Sequence, residues 1–197
     1  MKKGTLVILG IVLLFGAYSC SSYNGLVGKD TNVQKLWADV QTQYQRRTDL
    51  IGTLVKTVQG AADFEKSTLT EVIQARASAT QVKFEAKDLT PENMAKFQAA
   101  QDQLSGSLSR LLVSVEQYPN LKANQNFLDL QAELAGTENR IAVARRDFNG
   151  AVGEYNLSVR SFPNNIFANI FGFAVKGFFE ASKAAQNAPE VNFDFKK

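Results

Sequence analysis

The stretch Asp30–Gln59, DTNVQKLWADVQTQYQRRTDLIGTLVKTVQ, decides the fold. Its apolar residues are Val33, Trp37, Val40 and Tyr44, then Ile51, Leu54 and Val58. The steps between them alternate four and three, with Arg47 standing in the one missing slot. That spacing predicts a single helix with one buried seam. Asp30 and Thr31 are good amino-terminal caps for it, and Gly60 marks a bend or an end.

Downstream the same pattern recurs. Phe64, Leu69, Val72, Ile73 and Val82 predict a second, more weakly amphipathic helix that fades around Ala86–Leu89. Thr90-Pro91-Glu92-Asn93 then supplies a cap with proline at the first helical position. Met94, Phe97, Leu104, Leu108, Leu111, Val115 and Tyr118 follow at seam spacing, Gln101 filling the remaining slot, and Tyr118-Pro119-Asn120 closes that helix. A fourth stripe holds Phe127, Leu130, Leu134, Ile141, Ala144, Phe148, Tyr155, Val159 and Phe162, completed by Thr137 and Ala151. With no proline between Pro119 and Pro163, this run predicts a helix of roughly forty residues, about 60 Å long. Four amphipathic segments joined by short turns predict an antiparallel up-and-down four-helix bundle, an isolated extended coiled coil being the rival arrangement. No alternating β-branched run argues for strands.

Upstream, Lys2 and Lys3 precede an uncharged run from Gly4 to Gly28 whose centre, Leu6 to Phe15, is nearly all Leu, Val, Ile and Phe. A helix crosses a ~30 Å hydrocarbon layer in roughly 20 residues, so the run is long enough if its polar end lies in the interface, where Tyr18 and Tyr23 belong. A transmembrane anchor is one reading. The other is a lipoprotein signal ending at Ala17-Tyr18-Ser19-Cys20, with Cys20 as the lipidated residue. Either reading exports the rest of the chain, and Lys2 and Lys3 place the amino terminus inside.

The opposite end is Phe-rich. Ile166 to Phe179 carries Phe167, Phe171, Phe173, Phe178 and Phe179, with Lys176 its sole charge. Gly172 and Gly177 break it, so it is too short to span a bilayer. Its two readings are an interfacial helix or docking segment, with Phe171, Phe173, Phe178 and Phe179 as the contacts, and a helix folded back over the open end of the bundle.

The whole chain of 197 residues has no histidine, one cysteine and a net charge of +3. Those counts exclude His-based catalysis, intrachain disulfides and Cys-rich metal clusters. The charge is too small to argue for nucleic acid. The carboxylate pair Asp63 and Glu65 reads as surface charge. No catalytic residue, cofactor or metal site is expected, and the chain reads as no enzyme.

Polar residues on the seams are the sharper features. A buried Arg47 requires a carboxylate, and Glu133, Glu138 and Asp147 on the fourth helix are the candidates. A structural ion pair of Arg47 with Glu138 is preferred to a recognition site. Arg140, Arg145 and Arg146 read as solvated or snorkelling. Phe148-Asn149 recurs as Tyr155-Asn156 seven residues on, two helical turns apart, so both asparagines face one way. They read as buried residues that specify register. Gly150 and Gly153 beside them would permit close helix approach.

Several longer motifs stand in a recognisable order: Tyr23-Asn24-Gly25-Leu26-Val27, Trp37 with Tyr44, and Gln45-Arg46-Arg47-Thr48-Asp49-Leu50-Ile51 followed by Leu54-Val55 and Gly60. Then come Tyr118-Pro119-Asn120-Leu121-Lys122-Ala123, Phe127, Glu138-Asn139-Arg140-Ile141, Arg145-Arg146-Asp147-Phe148-Asn149, Tyr155-Asn156 and Phe162-Pro163. Over about residues 5 to 180 the chain resembles the LemA family of bacterial membrane-associated proteins. The resemblance implies a single amino-terminal membrane anchor followed by an antiparallel helical bundle, and no established activity, cofactor or catalytic residue. The family pattern continues Asp-Leu-Ile with Pro-Asn, whereas this chain has Gly52-Thr53, which permits a bend without imposing one.

The expectation is therefore an all-α chain: an anchor over 1–28, a bundle over 29–163, a Phe-rich amphipathic segment over 164–180 and a flexible tail over 181–197. It would sit in the bacterial cytoplasmic membrane with the bundle extracytoplasmic, or hang from lipidated Cys20. Its partners would be the lipid bilayer and other envelope proteins, its oligomeric state left open. Its role would be a scaffold, or alternatively a lipid- or ligand-binding bundle at the membrane surface.

Overall fold

The computed structural model describes residues 3–60 and 64–181; Lys2, Asp63 and all of the tail beyond Ala181 lie outside the described residues. The described chain is all-helical: α1 (Lys3–Gln59), α2 (Lys66–Gln81), a short 3-10 turn (Ala86–Asp88), α3 (Pro91–Val115), α4 (Pro119–Lys122), α5 (Gln125–Arg160) and α6 (Asn164–Phe171). An extended strap, residues 173–181, follows α6.

The first helix differs from expectation. Asp30 and Thr31 cap nothing, because α1 runs unbroken through them for 57 residues, about 85 Å. Thr31 Oγ1 donates to the Val27 carbonyl inside the helix, and Asp30 is claimed by partners elsewhere in the fold. From Val7 to Phe15 the large apolar side chains of α1 are all more than half exposed, and this is the one described helix long and apolar enough to cross a membrane. From Leu26 onward its seam is buried, Val33, Val40, Ile51, Leu54 and Val58 completely.

The other helices form where their punctuation demands. Thr90 caps α3 by accepting from the Asn93 amide, with Pro91 at the first position. Asn124 caps α5 in the same way through Phe127 N. α2 stops at Gln81, before the expected blur. Two residues assigned to seams are exposed instead, Ile73 at 44% and Phe162 at 80%.

α1 and α5 run antiparallel, tied by Lys29 to Ser158 at one end and by Arg46 to Glu133 at the other. α2 packs on α3 and on α1, and α3 reaches α1 through Phe97, which meets Trp37 and Tyr44. The core has two parts. An aromatic one near the anchor joins Trp37, Tyr44, Phe97, Phe148, Tyr155 and Phe179; a largely aliphatic one beyond it joins Ile51, Leu54, Val58, Leu104, Leu111 and Leu134.

Candidate interaction site

Polar side chains, rather than a catalytic cluster, organise the strap. It lies in the groove between α3 and α5, antiparallel to α5. Asn156 donates to the Lys176 carbonyl and accepts from the Lys176 amide, both at 2.8 Å. Asn149 does the same for Phe179, both bonds at 2.9 Å. The spacing explains the internal repeat. Seven helical residues rise about 10.5 Å and three extended residues span about 10 Å, so two amides two turns apart meet backbone groups three residues apart. Gln98 on α3 pairs with both backbone groups of Glu180, and Tyr155 Oη donates to the Ala174 carbonyl. Gly177 N donates to Leu89 O, and a Cβ at Gly177 would stand 2.7 Å from Pro91 Cα, so only glycine allows this approach. The asparagines thus bind the strap backbone rather than another helix. Gly150 and Gly153 face no helix either: open space lies beside Gly150, and the Phe178 ring is 4.0 Å from a Cβ at Gly153.

The strap corrects the reading of the Phe-rich segment. Only residues 164–171 are helical. Phe179, assigned to a docking surface, is buried beside Trp37, Tyr44, Phe97 and Phe148, with ring centroids at 5.6–6.5 Å, and Arg145 lies 4.6 Å over its ring. Phe173 is partly buried against the core and against Tyr23. Phe171 and Phe178 remain exposed. Phe178 lies along a groove of about 640 Å³ lined by Pro91, Gln98, Asp102, Arg160 and Glu180.

Lys176 is buried, and sequence reasoning missed its role. Its ammonium donates to the Ala86 carbonyl at 2.9 Å, pairs with Asp30 at 3.0 Å and lies 5.3 Å from the Tyr155 ring centre. Its signal in the sequence is that it is the sole charge in an apolar run. Burial pushes the Tyr155 hydroxyl up to about 12, the Asp30 carboxylate adding to the rise. Burial also raises Tyr44, against Arg145 and Arg47, which pull it down.

Arg47 is buried between the two cores. Its Nη1 donates to Glu138 and to Ser105 Oγ, both at 3.0 Å, and its Nη2 to the Gln101 side chain. The guanidinium also lies 4.9 Å over the Tyr44 ring. The other candidate carboxylates are taken: Glu133 pairs with Arg46 and Asp147 with Arg146. Gly52 has its own use. The Arg76 guanidinium packs against it, 3.1 Å from where a Cβ would stand, and Arg76 Nε donates to the Thr48 carbonyl.

α6 docks on the anchor half of α1. Phe167 packs on Phe15 and Tyr18, and Phe171 on Tyr23. Asn164 Oδ1 accepts from Tyr18 Oη at 3.0 Å and from Ser22 Oγ at 3.1 Å. Cys20 is exposed on this part of α1. On another face, α1 and α5 leave an apolar groove of about 400 Å³ lined by Leu36, Gln43, Asn139, Arg140 and Val143. Gln43 Oε1 is buried there with no hydrogen-bond partner.

Comparison with known proteins places the sequence among relatives. Magnetosome protein MamQ 2 of Paramagnetospirillum magneticum is 27% identical, covering 91% of this chain and 72% of its own length. Magnetosome protein MamQ of Magnetospirillum gryphiswaldense is 25% identical over 86% of this chain and 68% of its own. Protein LemA of Metamycoplasma hominis is 23% identical over 81% and 69%. The sequence profile of the LemA family matches residues 36–193, from Leu36 in α1 to beyond the strap, and so takes in Arg47, Glu138 and both asparagines: the chain belongs to the LemA family.

Proposed function

We propose that this protein is a non-catalytic, membrane-tethered scaffold of the bacterial cell envelope. It crosses the cytoplasmic membrane once, amino terminus inside, and holds its four long helices outside as an up-and-down bundle that binds other envelope proteins. One observation carries the reading: α1 passes from the apolar span into the buried seam as one uninterrupted helix. No hinge separates anchor from bundle, so the bundle is held at fixed height and orientation, as a docking platform requires.

An uncleaved anchor is favoured over a lipoprotein by what cleavage before Cys20 would remove. Phe15 and Tyr18 would be lost, and with them two aromatic contacts and a hydrogen bond that seat α6. The intact mass of the protein from native membranes tests this. A mass that includes Ser19 agrees; one beginning at lipidated Cys20 overturns it.

The α1–α5 groove is the face proposed for a protein partner. Val143 on its wall is 47% exposed, and the orphaned Gln43 oxygen offers an acceptor to an incoming donor. A photo-cross-linking residue at Val143, with Val113 on α3 as control, is expected to give one discrete protein adduct in native membranes from Val143 alone. Identical patterns from both positions would reject the face.

A further inference from the structure

We propose that α6 is an interfacial helix, embedded in the outer boundary of the lipid bilayer and docked against the transmembrane segment. The inference rests on the membrane-spanning reading of α1 and goes beyond it, because it gives the bilayer a second contact with this chain.

The placement follows from α1. Counting about 20 residues for the hydrocarbon layer from Lys3 puts its far boundary near Tyr23. The residues of α1 that α6 touches are Phe15, Tyr18, Ser22 and Tyr23. All lie at or inside that boundary, within its last ~12 Å at 1.5 Å per residue. A helix fixed at that level cannot avoid lipid.

The composition of α6 suits the position. From Ser161 to Val175 the chain has no charged residue. α6 exposes Ile166 at 47% and Ile170 at 66%, and Phe162, in the turn that leads into it, is 80% exposed. In water such exposure would be an unusual cost for so short a helix. At a membrane boundary it is buried in acyl chain to a depth of about 5–10 Å, typical of interfacial helices. Two of its three asparagines suit the same place, while Asn165 Oδ1 is buried without a hydrogen-bond partner. Asn164 is held by Tyr18 and Ser22, while Asn169 is exposed among the apolar residues, as the headgroup level permits. Gly172, at φ 78°, closes the helix with its amide donating to Ala168 O, so the turn does not leave that group bare in lipid. The next charge, Lys176, is already neutralised by Asp30 within the fold.

Continuity decides the occupant. α6 packs on Phe15, Tyr18 and Tyr23, so its exposed isoleucines and the exposed apolar residues Val7 to Phe15 of α1 belong to one apolar belt. A lipid surface covers the whole of that belt, whereas a protein partner seated on α6 would have to enter the bilayer beside the anchor.

Nitroxide labels report the environment directly. In full-length protein with Cys20→Ser, labels are placed singly at Ile170→Cys, at Leu14→Cys in the span and at Val113→Cys on the bundle surface. The protein is reconstituted into phosphatidylethanolamine–phosphatidylglycerol vesicles, and collisions with oxygen and with a water-soluble nickel chelate are compared. The expected result is that the label at 170 behaves as at 14, reached by oxygen and shielded from nickel, while that at 113 is reached by nickel. A label at 170 reached by nickel, with the label at 14 shielded, overturns the interfacial helix and leaves the anchor standing. Nickel reaching the label at 14 overturns the spanning reading and this inference with it. A label at 170 shielded from both reagents, with broadening relieved by dilution into unlabelled protein, assigns the face to a second copy of the chain and overturns the lipid contact.

Discussion

The anchor-proximal core and the distal core are filled by different means. Near the anchor, rings from α1, α3 and α5 meet edge to face or tilted, and the ring of Phe179 is supplied by the strap. Beyond Arg47, mostly Leu, Ile, Val and Ala side chains fill the space, with Phe64 and Phe127 as the buried rings. The difference teaches what the strap is for. Helical seams with aliphatic residues close on themselves, whereas the aromatic half leaves a groove that an extended segment must fill. Aromatic pairs contribute about 0.5–1.5 kcal/mol each beyond their buried area, so one inserted ring engages several partners at once.

The largest test of that contrast is Phe179→Ala. Removing a buried Phe typically costs about 3–5 kcal/mol, and here it also unseats the strap. Hydrogen exchange should rise around Trp37, Phe97 and Phe148 while amides around Leu54 and Leu111 stay protected. A matching Leu111→Ala change, costing about 2–5 kcal/mol, should do the reverse. Equal loss of protection in both halves for either variant would mean that the core unfolds as one unit.

Next comes the backbone clamp. Asn149→Ala and Asn156→Ala each strip two hydrogen bonds from a strap that pairs with no strand among the described residues. Leaving buried backbone groups unpaired costs about 1–3 kcal/mol. Each should lower the denaturation midpoint and raise exchange at Lys176 or Phe179, with the double variant less than additive once the strap is free. Full additivity would indicate that the two clamps act independently.

Much of this could be read from the sequence, and the limit is physical. The seams of α1, α3 and α5 obey a period that burial imposes, so Trp37, Leu104 and Phe148 declared themselves. Arg47 was legible because it breaks that period, and the structure sets it 3.0 Å from Glu138. The strap was not legible. An extended segment has no helical period, and its partners are side-chain amides whose spacing marks a helix face without saying what covers it. Asp30 misled for a related reason. Its residue type favours a cap, but a helix already running from Lys3 has no end there, and the side chain serves Lys176 instead.

That pair of ion pairs sharpens the comparison further. Asp30 is 22% exposed, Glu138 45%, and their cations are nearly enclosed. Stranding a buried cation costs up to about 3–5 kcal/mol when water cannot replace its partner. Asp30→Asn should therefore destabilise more than Glu138→Gln, where solvent reaches the gap. Arg47→Leu with Glu138→Gln should be more stable than Glu138→Gln alone. A double variant worse than either single change would contradict the ion-pair account.

Alkaline pH should also separate the halves. Tyr44 and Tyr155 both belong to the aromatic core, and both favour their protonated forms in the fold. Their contribution is complete below the ordinary tyrosine value of about 10; that of Tyr155 is lost as pH rises through about 12, and that of Tyr44 likewise on the alkaline side of its ordinary value. Near-ultraviolet circular dichroism, sensitive to the ring cluster, should fade across that interval before helical signal does. Simultaneous loss would place the alkaline transition elsewhere.

The smallest expected effect lies in the distal half, at Gly52, where this chain departs from the family's usual proline. Alanine in a helix interior is favoured over glycine by about 1 kcal/mol. At Gly52 the new methyl would stand 3.1 Å from Arg76 Nη2, so the guanidinium must shift and strain its bond to the Thr48 carbonyl. Gly52→Ala alone should then be close to neutral. In an Arg76→Ala background the same change should recover the full helical gain. The difference between the two backgrounds measures how far Arg76 depends on a bare backbone at residue 52. If Gly52→Ala gains equally in both, Arg76 moves aside freely, and the glycine is there for some reason other than this contact.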